Sequence, residues 1–163
     1  MNRKYRTKEY IEVINKIRTM FDDVAITTDF LAGFVGETDE EYAQAQKFIQ
    51  EIGYSNMHIF PYSRRAGTKA DLMKGHLHPV VQKRRAQELS ILAKKMKDEF
   101  EKKFIGKTVT VLVENMKKGY WRGYTSNYLD VYFESNDNLE NKLVTVELTN
   151  YREGKLFGIR KGD

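Results

Sequence analysis

An apolar run, Val24 to Leu31, leads through two glycines into an amphipathic segment and on to a second apolar run, Met57 to Phe60. This order leaves few folds open. Two strands joined through a helix lie parallel, because the connection is far too long for a hairpin. Val24, Ala25, Ile26, Phe30 and Leu31 read as a buried parallel strand. Thr38 suits an N-cap, and Glu41 three residues on completes a capping box for a helix over about 39–52. Tyr42, Ala45, Phe48, Ile49 and Ile52 fall on one side of it, and Gly53 is a stop signal. An earlier helix is expected over 8–21, capped by Thr7, with Tyr10, Ile14, Ile17 and Phe21 on one face and Val13 and Met20 beside them. The second strand ends at Pro61. This αβαβ order is that of two units of a parallel (β/α) barrel. Two strands cannot close a barrel, so a partial barrel with open strand edges is expected.

Between the first strand and its helix, Gly33 and Gly36 permit a tight turn and leave backbone uncovered by a Cβ. The helix start behind them offers N–H groups to an anion, at the strand edge where parallel α/β folds bind ligands. The plainer reading is a tight βα turn with ordinary glycines. It is not a Walker phosphate loop, because no Lys-Ser/Thr follows Gly36. The polar stretch Tyr62 to Leu77 forms a second loop at the same edge. Arg64 or Arg65 there suits bidentate grip on a phosphate or carboxylate; the alternative is an exposed basic turn. His58 reads as a packing residue, and His76 and His78 lack a third ligand at useful spacing for a metal.

Pro79 opens a long helix to about Lys103, with Leu89, Leu92, Met96, Phe100 and Phe104 along one face. It carries most of the chain's net charge of +5; residues 1–78 are neutral overall. That surplus is either a solvated face or an electrostatic guide for RNA. From Gly106 the texture changes to short strands: 108–113, 120–125, 128–133, 143–148 and 156–159, with turns at Lys118-Gly119, Ser126-Asn127, Ser135 to Asn138 and Glu153-Gly154. Five such strands suggest a small closed barrel of the OB type. Tyr120, Trp121, Tyr124 and Tyr128 are suited to stacking on unpaired bases, and Lys117, Lys118 and Arg122 to meeting phosphates. Strand alternation must bury some of these aromatics. Residues 105–163 carry nearly balanced charge, so charge alone does not mark an RNA surface there. No run of about 18 apolar residues exists to span a membrane and no secretory segment follows Met1, which points to the cytoplasm. There is no cysteine, so this chain binds no iron–sulfur cluster through thiolates.

Thr28 to Thr38, with Gly33-Phe34-Val35-Gly36-Glu37-Thr38 at its centre, and His58 to Ala70 resemble the later part of the radical S-adenosylmethionine tRNA methylthiotransferases. Met1 to Tyr5 also fits, and the nearest likeness is to the branch acting on threonylcarbamoyladenosine beside the anticodon. The family usually has proline where this chain has Val35. Val113-Glu114 and Gly123 to Tyr128 resemble the family's TRAM domain. The resemblance implies α/β plus all-β architecture: a partial (β/α) radical-SAM barrel over 1–78, its last two βα units; a long basic helix over 79–104; and a TRAM-like barrel over 105–163.

The resemblance also implies chemistry. In the family, S-adenosylmethionine and two 4Fe-4S clusters generate a radical that leads to methylthiolation at C2 of the modified adenosine. The cluster cysteines belong to regions that would precede Met1, so the chain looks like a C-terminal portion that is inactive alone. Carried over by motif, Leu31 and Gly33 pass the adenine of S-adenosylmethionine, with Gly36 in the same turn. Asp29 and Glu37 brace the loop or bond the ligand. Arg3 faces the methionine or substrate, and Tyr62, Ser63 and Arg64 line the site. No residue of this chain is assigned a catalytic role. For tRNA, the resemblance points to Lys117, Lys118, Tyr120, Arg122, Tyr124, Asn127 and Tyr128. The competing expectation is a free-standing RNA-binding module whose barrel remnant is only scaffold.

Overall fold

A computed structural model describes residues 4–162. The chain divides between Lys97 and Asp98 into two compact units.

The first unit contains α1 (Thr7–Met20), β1 (Thr27–Ala32), α2 (Asp39–Ile52), β2 (Asn56–Pro61) and most of α3 (Pro79–Lys102). β1 and β2 pair in parallel from Thr27↔Asn56 to Ala32↔Pro61, as the helical crossover requires. They form a sheet of two strands. Alternation gives the sheet two faces. Ala32 and Met57, with Phe30 and Ile59 partly buried, pack into a core of Ile14, Tyr42, Ile49, Ile52, Leu89 and Met96. Thr27, Asp29, His58 and Phe60 stand exposed on the other face.

α2 has the bounds its cap and stop signals predict. Thr38 Oγ1 accepts from Glu41 N–H at 3.1 Å, Glu41 Oε2 accepts from Thr38 N–H at 2.9 Å, and Gly53 closes the helix at φ 60°. Two expectations change. Arg6, not Thr7, caps α1, because the Glu9 carboxylate accepts from the Arg6 N–H at 2.9 Å. Phe21 leaves the helix in extended conformation and is 56% exposed, so it is not part of the buried face. β1 also starts later than its apolar run. Val24 and Ile26 pack on the core ahead of the ladder, which begins where Asn56 provides a partner.

The second unit is a closed barrel of five strands in the order β3-β4-β5-β7-β6, as the strand count predicts: β3 (Thr108–Lys117), β4 (Tyr120–Tyr124), β5 (Asp130–Phe133), β6 (Leu143–Arg152) and β7 (Lys155–Arg160). All pairs are antiparallel except β5 with β7. Val111, Val113, Val131, Phe133, Val146, Leu148 and Leu156 point inward with Phe104 of the post-helical turn. Burying each contributes about 1.5–3 kcal/mol. Hairpins turn at Lys118-Gly119 and Glu153-Gly154, with φ of 53° and 84° and of 52° and 75°. These paired positive values suit the twist of the flanking strands. β3 and β6 run longer than their apolar cores because each continues past a bulge, at Val113/Asn115 and at Leu148/Asn150. Two glycines let the barrel close. A Cβ on Gly123 would lie 2.2 Å from the Leu112 carbonyl oxygen, and one on Gly158 2.4 Å from Val146 Cγ1.

Candidate functional site

Two loops meet at the C-terminal edge of β1 and β2. Tyr62 N–H donates to Ala32 O at 2.8 Å, and Gly36 N–H to Gly75 O at 3.0 Å, so the loops are tied together. Gly33 and Gly36 both hold left-handed conformations, at φ 71° and 78°. At Gly33 the neighbour that approaches the bare backbone belongs to α3. Gln82 Nε2 donates to Gly33 O at 3.2 Å, and a Cβ there would lie 2.8 Å from Gln82 Cγ. The Gly33 N–H donates to the Glu37 carboxylate at 3.2 and 3.3 Å. Around Gly36 the space is open.

Glu37 is fixed in turn by Arg85, whose guanidinium is almost wholly buried. Arg85 Nη1 pairs with Glu37 Oε1 and donates to Glu37 O at 3.1 Å, while Nη2 meets Asp39 Oδ1 at 2.6 Å. The Tyr42 ring lies under the guanidinium at 4.8 Å, and Tyr42 OH donates to Glu88 Oε2 at 2.8 Å. Burial and that bond push the Tyr42 hydroxyl pKa up. The expected anion site at the start of α2 is therefore altered. The N–H groups of Thr38 and Glu41 are consumed by the capping box, and Glu37 and Asp39 bring negative charge that Arg85 balances. Arg85 is a residue the sequence reading missed. Its only sequence signal is a basic residue inside a helix full of them.

The other expected cofactor residues are dispersed over this edge. Asp29 and Leu31 lie beside His58 and Phe60 on the outer sheet face, Asp29 exposed and Leu31 half-buried. Tyr62 packs between Phe34, at 5.2 Å edge to face, and His76, at 6.1 Å stacked, and its buried hydroxyl has no hydrogen-bond partner among the described residues. Ser63 is exposed. Arg64 is engaged within its own loop: Nε pairs with Asp71 Oδ1, and Nη2 donates to Asp71 O at 3.0 Å. That bond holds the Asp71 carboxyl below the usual carboxylate range. Arg65 is exposed, and Arg3 lies outside the described residues. His78 Nδ1 accepts from Val80 N–H at 3.3 Å at the start of α3. Among the described residues no cluster of His, Asp and Glu is arranged to hold a metal.

On the barrel, the outward residues of β4, β5 and β7, with Arg152 at the end of β6, make a continuous ladder of rings and cations. Arg122 Nε meets Asp130 Oδ1 at 2.8 Å, and its guanidinium lies 4.9 Å from the Tyr124 ring and 6.0 Å from Tyr132. Asp130 raises the Arg122 pKa through that hydrogen bond. Lys155 stands 5.0 Å from the Tyr132 ring, and Tyr132 packs on Phe157 at 5.5 Å. Arg152 covers Phe157 at 4.0 Å and donates to Tyr120 OH at 3.2 Å; Tyr120 meets Phe157 edge to face at 5.4 Å. Tyr120, Arg122 and Tyr124 are thus brought together on one face. Tyr132, Arg152, Lys155 and Phe157 join them and went unread: Tyr132 meets Phe157 only because β5 pairs with β7 and skips a strand, and Arg152 and Lys155 follow from the β6–β7 hairpin.

The remaining expected RNA residues sit at loop tips. Lys117 and Lys118 are exposed at the β3–β4 hairpin. Tyr128 is not on a strand: it occupies a tight turn at φ 62° and is 82% exposed. Asn127 lies inside that turn, its Oδ1 accepting from Thr125 Oγ1 at 2.6 Å. Trp121 points inward, 7% exposed, with Nε1 donating to Ser135 O at 3.2 Å, so it is core and offers no stacking surface.

No family model matches the chain. It is 35% identical over 161 residues to the tRNA-2-methylthio-N(6)-dimethylallyladenosine synthase of Acetivibrio thermocellus, covering 97% of this chain and 34% of that protein. It is 36% identical over 152 residues to the protein of the same name from Neorickettsia sennetsu, covering 91% and 31%. It is 30% identical over 168 residues to the threonylcarbamoyladenosine tRNA methylthiotransferase MtaB of Bacillus subtilis, covering 98% and 37%. The chain therefore spans about a third of the length of the curated relatives it matches. Over nearly all of its own length it is similar to part of the tRNA methylthiotransferases.

Proposed function

We propose that this chain is the part of a tRNA methylthiotransferase that supplies one wall of the cofactor and nucleoside site and grips the tRNA beside its anticodon. The partial barrel corresponds in this reading to the last two βα units of a radical-SAM barrel, and the five-stranded barrel to a TRAM domain of OB-like form. The observation that carries it is the ladder of Arg122, Lys155 and Arg152 against Tyr124, Phe157 and Tyr120, laid over Tyr132, which is 4% exposed and serves as its floor. Guanidinium planes and aromatic rings both stack on unpaired bases, and the same cations meet phosphates.

With no cysteine, the chain does not fit an iron–sulfur cluster, and clusters would come from outside these residues. For S-adenosylmethionine the fit is to one edge of a site. The outer sheet face offers the Asp29 carboxylate and the apolar surfaces of Leu31 and Phe60, with open space at Gly36. Bound S-adenosylmethionine would supply the radical and sulfonium chemistry. This chain's share is to hold the loop: Gly33 is clamped by Glu37 and Gln82, and Glu37 by Arg85. Glu37 thus braces the loop and does not reach for the ligand.

For the substrate base, threonylcarbamoyladenosine is the first reading, on the motif likeness. Dimethylallyladenosine is the second, favoured by the names of most of the relatives given above. Mass spectrometry of tRNA nucleosides from cells lacking this segment decides, since loss of the methylthio group from one of the two names the base. Loss from neither overturns the enzymatic reading. RNA binding is tested on this chain with an anticodon stem–loop. Affinity should fall as salt rises, and Tyr120→Ala or Tyr124→Ala should cost about 1–3 kcal/mol each. Absence of salt-sensitive binding overturns the RNA reading.

A further inference from the structure

The barrel has a second polar feature away from the ladder. A cavity of about 440 Å³ lies among the β5–β6 loop, the start of β6 and the end of β7. Lys142, Arg160 and Lys161 line it against one carboxylate, Asp137, with Asn138 and Thr145 between them. A volume of this order holds a nucleotide more readily than a bare ion.

The walls are held in place. Leu139, 2% exposed, anchors the loop in the barrel core. Lys142 is clamped on both sides of its peptide: its N–H donates to Leu139 O at 3.0 Å, and its carbonyl accepts from Val113 N–H at 2.9 Å. Asn141 N–H donates to Val113 O at 2.9 Å, and Lys161 N–H to Thr145 O at 2.9 Å. Two of the three cations are committed. Arg160 pairs with Asp137 and reaches Ser135 Oγ at 3.4 Å, and Lys161 pairs with Glu147. The Lys142 ammonium has no ion pair among the described residues. Asn138 Oδ1 accepts from Glu140 N–H at 3.3 Å, which leaves its NH2 group as a donor, and Thr145 adds a hydroxyl.

We infer that this cavity is a phosphate-binding subsite that takes one nucleotide unit of an RNA chain, with its phosphate on Lys142. An excess of cations over carboxylates, one uncommitted ammonium and two neutral donors match a phosphodiester, which offers acceptors only. The assignment to RNA rests on the tRNA reading above; the phosphate chemistry stands on the cavity alone.

The test uses the full chain, ¹H–¹⁵N spectra, and two probes, inorganic pyrophosphate and a short single-stranded oligoribonucleotide. Saturable shifts of the Lys142, Thr145 and Lys161 amides with either probe, lost in Lys142→Gln, support the inference. Shifts with both probes assign the site to a phosphate group as such, and shifts with RNA alone to a phosphodiester within a chain. Lys142→Gln should also lower the slope of log affinity for RNA against log salt by about 0.7. Shifts absent with both probes, or persisting in Lys142→Gln, overturn it. RNA that binds without moving these amides overturns the subsite and spares the tRNA reading. Pyrophosphate shifts without any RNA binding overturn the RNA half of the inference together with the tRNA reading, and spare only the phosphate chemistry of the cavity.

Discussion

At Gly33 two demands coincide, a positive φ and a contact that leaves no room for a Cβ. At Gly36 only the first applies. Gly36→Ala should cost about 1–2 kcal/mol from backbone strain, and Gly33→Ala more, since Gln82 must also yield. Urea denaturation of both variants checks the order. Arg85→Ala strips the balancing charge from Glu37, which is mostly buried. The loss should approach about 3 kcal/mol, the low end for a broken buried pair, because Asp39 is exposed. Asp71 gives a pH signature. Its carboxyl is held below the ordinary value by Arg64, so the loop contact is present at neutral pH and is lost as pH falls through that depressed value. An NMR titration should find the Asp71 midpoint below that of an unperturbed aspartate, and Arg64→Gln should return it upward. Glycine positions and Glu37 were legible in the sequence. Arg85 was not, because nothing local separates it from Lys83 and Arg84, which are exposed.

Among elements, legibility followed the source of the stabilising force. α2 could be read to the residue because its cap, its apolar face and its terminal glycine are all local. Thr38→Ala should accordingly cost about 1 kcal/mol, measurable by thermal melting. β1 was read too early because Ile26 and the partly buried Val24 pack on the core while the ladder waits for Asn56. β3 and β6 were read too short, since Glu114 to Lys117 and Thr149 to Arg152 carry only one apolar or aromatic residue each, Met116 and Tyr151, and follow bulges that carry no apolar signal. The stacked face suffered most. Tyr120, Arg122 and Tyr124 alternate on one strand and were visible; Tyr132 and Phe157 become neighbours only through the β5–β7 pairing.

For the molecule as a whole, the last turns of α3 and the turn after it belong with the barrel. Phe104 is 3% exposed in the barrel core, and Tyr151 OH donates to Asp98 Oδ1 at 2.7 Å. A fragment from Asp98 onward should therefore fold more stably than one from Ile105, by about 3 kcal/mol for the lost phenyl ring. Denaturant midpoints of the two fragments decide. The pairing of β7 between β5 and β6 also sets a schedule. β7 is made after the other four strands of the barrel, yet it supplies Lys155 and Phe157 to the stacked face and seals both flanking edges. A nascent chain halted before Lys155 would carry two unsatisfied strand borders and an incomplete stacked face. If the proposed RNA contact is made by this face, it should appear only after the ribosome has released β7.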